Sequence, residues 1–148
     1  MVDVGAKPAT KRRAVARATV ALGPTAYLRV RDNTLAKGDA LAVARLAGIQ
    51  AGKRTAEWIP LCHTVPLDRL DVTIALVAKG RRAVITATAE ARWATGVEME
   101  ALVAASAAAL ALYDMTKGVD RAIEIEGIAL LEKSGGRSGT WRRKATRR

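Results

Sequence analysis

The chain's one histidine and one cysteine are neighbours, in Pro60-Leu61-Cys62-His63. Adjacent side chains seldom face each other, so the pair does not read as a nucleophile–base dyad. His63 is nevertheless the one side chain expected to titrate near neutrality, and a structural role for a loop histidine between apolar residues stays open beside a chemical one. With no second histidine and no carboxylates at ligand spacing, no metal site is expected. A second candidate is Gly96-Val97-Glu98-Met99-Glu100. Its acids either complement the positive end of a helix dipole or serve a site.

The third candidate is Tyr113-Asp114-Met115-Thr116-Lys117. A carboxylate near a helix C-terminus opposes the dipole at a cost of about 0.3–1 kcal/mol. Four, seven and eleven residues back from Asp114 lie Leu110, Ala107 and Val103, so the carboxylate is expected to emerge from an apolar stripe. That setting predicts a raised pKa and acid/base work. Lys117, one turn on, can pair with it. The fourth candidate is the glycine-rich run after Glu132-Lys133-Ser134, where bare backbone N–H groups can approach an anion. It lacks the P-loop spacing. Lys37, Lys53, Lys117 and Lys133, with one histidine and one misplaced aspartate, point to a phosphorylated substrate handled by acid/base chemistry.

The elements that must position these groups follow from periodicity. Residues 14–21 read as a strand ending at the Gly23-Pro24 turn signal. A helix is expected over 39–57, with Asp39 able to cap its start and Pro60 ending it. Residues 71–77 and 83–91 alternate as two strands joined by a Lys79-Gly80-Arg81 hairpin. A helix apolar on nearly every side is expected over 97–118, and a last strand over 122–131. The order β-α-β-β-α-β predicts an α+β, ferredoxin-like fold: an antiparallel β-sheet with helices packed on one face.

Composition narrows the class. The 148 residues are 50% apolar and 26% charged, the balance of a globular chain rather than a disordered one. One cysteine excludes an intrachain disulfide. The apolar run 101–112 is shorter than the roughly 20 residues that cross a bilayer, and no apolar stretch follows the basic N-terminus as in a signal peptide. A cytoplasmic protein is expected, with no membrane partner. The 25 Lys+Arg and 14 Asp+Glu give a formal charge of +11, but the surplus sits at the two ends, where solvated and partly disordered segments are expected. Nucleic acid is therefore not expected as a partner, although a non-enzymatic polyanion-binding module acting through those ends is the competing reading. That module would keep its binding when Asp114 is replaced and lose it when the tail is trimmed.

Several motifs, in one order along nearly the whole chain, resemble the molybdenum cofactor biosynthesis protein C (MoaC) family of cyclic pyranopterin monophosphate synthases. They are Met1-Val2-Asp3-Val4, Lys37-Gly38-Asp39, Ala44-Arg45-Leu46-Ala47-Gly48-Ile49-Gln50, Lys53-Arg54-Thr55, Ile59-Pro60-Leu61-Cys62-His63, Thr95-Gly96-Val97-Glu98-Met99-Glu100, Tyr113-Asp114-Met115 and Leu130-Leu131-Glu132-Lys133-Ser134-Gly135-Gly136. The resemblance implies an enzyme that rearranges (8S)-3',8-cyclo-7,8-dihydroguanosine 5'-triphosphate to cyclic pyranopterin monophosphate and releases pyrophosphate. It implies Asp114, Lys117 and Lys37 as catalytic residues, and Leu61, Cys62, His63, Met99, Glu100, Lys133 and Lys53 as substrate contacts. It implies no resident cofactor, with Mg²⁺ entering only alongside the triphosphate. It also implies a homohexamer, a trimer of dimers with sites at subunit interfaces, and an upstream radical SAM GTP cyclase as functional partner. One domain is expected over 1–139, with a basic, flexible tail over 140–148. The chain departs from the family pattern at Thr64, where proline is common, and at Arg92-Trp93-Ala94, which replaces Thr-Gly-Lys.

Overall fold

A computed structural model describes residues 1–144 of the chain. The elements are β1 (Thr10–Ala21), α1 (Pro24–Arg31), α2 (Ala40–Gly52), α3 (Thr55–Trp58), β2 (Arg69–Val77), β3 (Arg82–Trp93), α4 (Glu98–Thr116), β4 (Glu124–Ser134) and β5 (Trp141–Arg142). The strands form one sheet in the order β2-β3-β1-β4-β5, antiparallel at every junction. Its first four strands carry the split βαβ order of a ferredoxin-like fold, as expected.

Alternation places the core. Ala14, Ala16, Ala18 and Val20 of β1 and Ala83, Ile85, Ala87, Ala89 and Ala91 of β3 are buried on one face, where α4 lies across β1, β3 and β4 and α2 packs beside it against β2. Lacking phenylalanine, this core gains its cohesion from many short contacts between small side chains set close together. By length and composition α4 could cross a membrane. Its burial on the sheet, with Ala101, Ala104, Ala105, Ala108, Ala109 and Leu112 at full burial, makes it the central core helix.

Four boundaries differ from the sequence expectation. Gly23-Pro24 opens α1 rather than only a turn, because proline at the first helical position has its φ preset and no N–H to waste; Tyr27 and Val30 then pack inward. The helix expected over 39–57 breaks after Gly52, where the Thr55 hydroxyl donates to the Gly52 carbonyl at 2.9 Å. Its start is capped as expected, the Ala42 N–H donating to Asp39 at 2.9 Å. β1 begins at Thr10, four residues earlier than expected, so Lys11, Arg12 and Arg13 lie in a central strand instead of a solvated segment. Arg13 pairs with Glu132 at 2.8 Å and Glu90 at 3.5 Å, while Arg12 donates to the Trp93 and Ala94 carbonyls. The stretch expected to be a flexible tail begins as β5: Arg142 meets Glu132 at 3.1 Å, and the Arg143 N–H donates to the Leu131 carbonyl at 2.8 Å. The remainder of that stretch, 145–148, lies outside the described residues.

One glycine sets how closely the two long helices approach. A Cβ on Gly48 would lie 2.7 Å from the Ala104 carbonyl oxygen, 3.1 Å from Ala108 and 3.2 Å from Val72. A helix carbonyl cannot swing aside as a side-chain tip can. Gly48→Ala gains about 1 kcal/mol of helix propensity but overpacks this contact, which typically costs about 1–3 kcal/mol. The expected outcome is a net loss of up to about 2 kcal/mol, read as a lower urea midpoint with an unchanged slope; a stabilised Gly48→Ala protein would contradict the packing described.

Candidate functional site

The candidate residues fall at the two ends of α4. At its C-terminal end Lys117 Nζ lies 2.6 Å from Asp114 Oδ1, one turn away, as the spacing predicts. Lys37, on the loop entering α2, places its Nζ 2.9 Å from Asp114 Oδ2 and also donates to the Asp114 carbonyl at 2.9 Å. Two ammonium groups therefore clasp one carboxylate. They hold Asp114 down to about 2, first through the Lys117 hydrogen bond and then through that of Lys37, and Lys117 is raised in return.

This overturns the expectation of a raised Asp114. The apolar stripe leading to it does not stay buried: Val103 and Ala107 are inside, but Leu110 is 54% exposed and the Asp114 side chain 55%. With little burial to oppose ionisation, the paired cations decide the direction.

At the N-terminal end the balance is reversed. Glu100 is 2% exposed, and its Oε2 has no hydrogen-bond partner among the described residues. Burial pushes its carboxyl up, and repulsion from Glu98 adds to that. Glu100 lines a small cavity with Lys53, Arg54, Thr55, His63 and Thr64. His63 is also a wall of a neighbouring cleft of about 480 Å³, with Leu61, Cys62, Met99, Glu98 and the N-terminal residues Val2, Val4 and Lys7. Six of the expected contacts thus converge: Lys53, Leu61, Cys62, His63, Met99 and Glu100. The break between α2 and α3 places Lys53 and Arg54 on the wall of the cavity that Glu100 also lines, and the turn closed by the Cys62 N–H on the Ile59 carbonyl presents Leu61-Cys62-His63.

Lys133 lies apart from both cavities. It sits in β4 rather than in the glycine-rich loop, opposite Ala14, and bonds the Ser138 hydroxyl. The glycines that follow serve chain packing: Gly135 has φ +96°, and a Cβ there would overlap the Lys11 carbonyl oxygen. Arg54, Thr64 and Glu98 line the cavities but were not singled out from the sequence as contacts. The Lys53-Arg54-Thr55 motif and the first-turn position of Glu98 were the signals for two of them.

The MoaC family profile matches residues 1–136. The chain belongs to the MoaC family. It is 55% identical over 143 residues to the cyclic pyranopterin monophosphate synthase of Thermomicrobium roseum, covering 97% of this chain and 86% of that protein. It is 53% identical over 146 residues to cyclic pyranopterin monophosphate synthase 1 of Mycobacterium tuberculosis, covering 99% of this chain and 85% of that one. Molybdenum cofactor biosynthesis protein 1 of Bos taurus matches at 55% over 97% of this chain, which corresponds to 23% of that protein. In this MoaC-family chain the motifs read from the sequence supply both clusters on α4, with Lys133 apart.

The electrostatics of Glu100 generate a stability prediction. A carboxyl whose folded pKa is raised binds its proton more tightly in the folded state, so stability is greatest below the unfolded value near 4.3 and erodes as pH rises through the folded value. Glu100→Gln keeps the shape and removes the ionisation. The expected outcome is a melting temperature a few degrees higher near pH 7 and a flatter pH dependence, measured by thermal melts across pH. An equal or lower melting temperature near pH 7 would mean that the buried carboxylate is compensated.

Proposed function

We propose that this chain is a cyclic pyranopterin monophosphate synthase of molybdenum cofactor biosynthesis, converting the cyclised dihydroguanosine triphosphate to cyclic pyranopterin monophosphate with loss of pyrophosphate. The observation that carries the reading is the end-to-end identity of 53–55% to proteins bearing that name. The Lys37–Asp114–Lys117 cluster agrees with it. The polyanion-binding alternative loses its footing because several of the end-group arginines are engaged within the fold.

The rearrangement moves protons among ring nitrogens and ribose hydroxyls. Asp114, held near 2, is the acceptor of its cluster at neutral pH, and the ammonium groups of Lys117 and Lys37 are its donors. Both lysines hold the carboxylate through direct hydrogen bonds, so the three side chains act as one cluster. Glu100, His63 and Lys53 bind and orient the nucleotide, and Lys133 adds a cation toward its phosphates. The reading includes no resident cofactor, and Mg²⁺ travels with the triphosphate. It places the enzyme in the cytoplasm, downstream of a radical SAM GTP cyclase.

One distance makes the site oligomeric in this reading. Glu100 and Asp114 stand fourteen positions apart on a single α-helix, roughly 21 Å at 1.5 Å per residue. Short side chains cannot close that gap around one nucleotide. Each site therefore combines the Glu100 end of one subunit with the Asp114 end of another, in a hexamer built as a trimer of dimers.

Two measurements test this. Asp114→Asn removes the acceptor while keeping its volume, so folding is expected to persist and single-turnover pyrophosphate release from the cyclised substrate to fall about 10²–10⁴-fold; near-native release would move the acid/base role elsewhere. Mixing Asp114→Asn with Glu100→Gln subunits, each impaired alone, is expected to restore partial activity, because some mixed sites carry both native groups. Absence of rescue in verified mixed oligomers would place the whole site in one chain.

A further inference from the structure

We infer that the N-terminal residues 1–7 form a strap over the cleft at the start of α4, and that the Val2 backbone carbonyl fixes the tautomer of His63. The inference rests on reading His63 as a substrate contact, but its test needs no substrate.

His63 Nε2 lies 2.8 Å from the Val2 carbonyl oxygen, a contact that spans sixty-one positions of sequence. A carbonyl oxygen can only accept, so Nε2 must carry the proton. When the ring is neutral its lone pair is then confined to Nδ1, which becomes the ring's acceptor for an N–H or O–H of a bound ligand. Fixing one ring nitrogen by a hydrogen bond to the other is how proteins select a histidine tautomer. The residue that acts here is a positioning group, supplied by the main chain and so independent of the side chain at position 2.

The strap is shaped rather than trailing. The Gly5 N–H donates to Asp3 Oδ1 at 2.8 Å, an Asx-type turn, and the Lys7 N–H donates to the Val4 carbonyl at 3.0 Å. This folding turns Val4 inward while Val2 stays 74% exposed. Val2, Val4 and Lys7 form one wall of the cleft, facing Cys62, His63 and Met99. The wall brings apolar cover and one cation. Among the described residues the His63 bond is the hydrogen bond that ties the strap to the rest of the fold, and opening the strap frees both the cleft and the ring.

The chain has one histidine and one cysteine, and each gives a site-specific signal. In ¹⁵N-labelled full-length protein with the ring neutral, Nε2 is expected to appear as the protonated nitrogen and Nδ1 as the bare one. Deleting residues 2–4 is expected to shift the ring toward a mixture of tautomers and to speed maleimide labelling of Cys62 severalfold. Should that deletion fail to fold, the pair His63→Gln and His63→Ala carries the test. The Gln amide can replace Nε2–H as donor and keep labelling slow, whereas Ala releases the strap and accelerates it. A proton on Nδ1 in the full-length protein would overturn the inference. So would unchanged ring signals and labelling in the deletion, or equal labelling in the two His63 variants.

Discussion

Close approach between α4 and its neighbours is the constraint on which the rest of the molecule depends. Gly48 of α2 meets the α4 backbone with no room for a Cβ, and the alanines of α4 lie against those of β1 and β3. Small side chains give each contact little area, so the stability of this core comes from the number and tightness of its contacts. The same packing holds α4 at the centre of the fold, with one candidate cluster at each end. A looser aliphatic core would fill the same volume while leaving the two ends free to shift relative to α2 and the sheet.

The two ends of that helix treat their carboxylates oppositely, and the helix dipole decides neither. By dipole alone Glu100, in the first turn, is favoured as an anion, and Asp114, in the last, is disfavoured. Glu100 is instead pushed up because burial removes its water and, among the described residues, supplies no hydrogen-bond partner for Oε2. Asp114 is pulled down because it lies in solvent between two ammonium groups. Dipole effects of a few tenths to one kcal/mol are smaller than the desolvation of a buried carboxylate or two direct charge-assisted hydrogen bonds. Local solvation and partners overrule the long-range field.

What could be read from the sequence divides along that line. Period-2 alternation in residues 83–91 and the continuous apolar stretch of α4 identified the sheet and the core helix, because periodicity reports which face is buried. The cap at Asp39 and the pairing of Asp114 with Lys117 were legible because both are local in the chain. α1 was hidden, since proline at a first helical position and proline in a turn look alike without tertiary context. The direction of the Asp114 shift was missed because it depends on Lys37, seventy-seven residues away, and on where an apolar stripe leaves the core. The convergence of Lys53, His63 and Glu100 was equally out of reach of spacing alone; motif resemblance brought them together, and the break after Gly52 shows how the chain does it.

The placement of the basic residues completes the account of charge. A surplus of +11 would ordinarily produce a broad positive field able to attract any polyanion. Here Arg12 is spent on the Trp93 and Ala94 carbonyls, Arg13 on Glu90 and Glu132, and Arg142 on Glu132. These arginines tie β1 to the end of β3 and to β4, and β5 to β4. Planar guanidinium forks suit that work, because each can hold two acceptors at fixed angles. The cations at the two ends of α4 are mostly lysines: Lys37 and Lys117 around Asp114, Lys53 beside Glu100, and Lys7 on the strap. A lysine is a compact, mobile charge that can leave one carboxylate for an incoming phosphate without dismantling a planar network. Arginine thus serves mainly in the scaffold, while the cations at the two ends of α4 are mostly lysine.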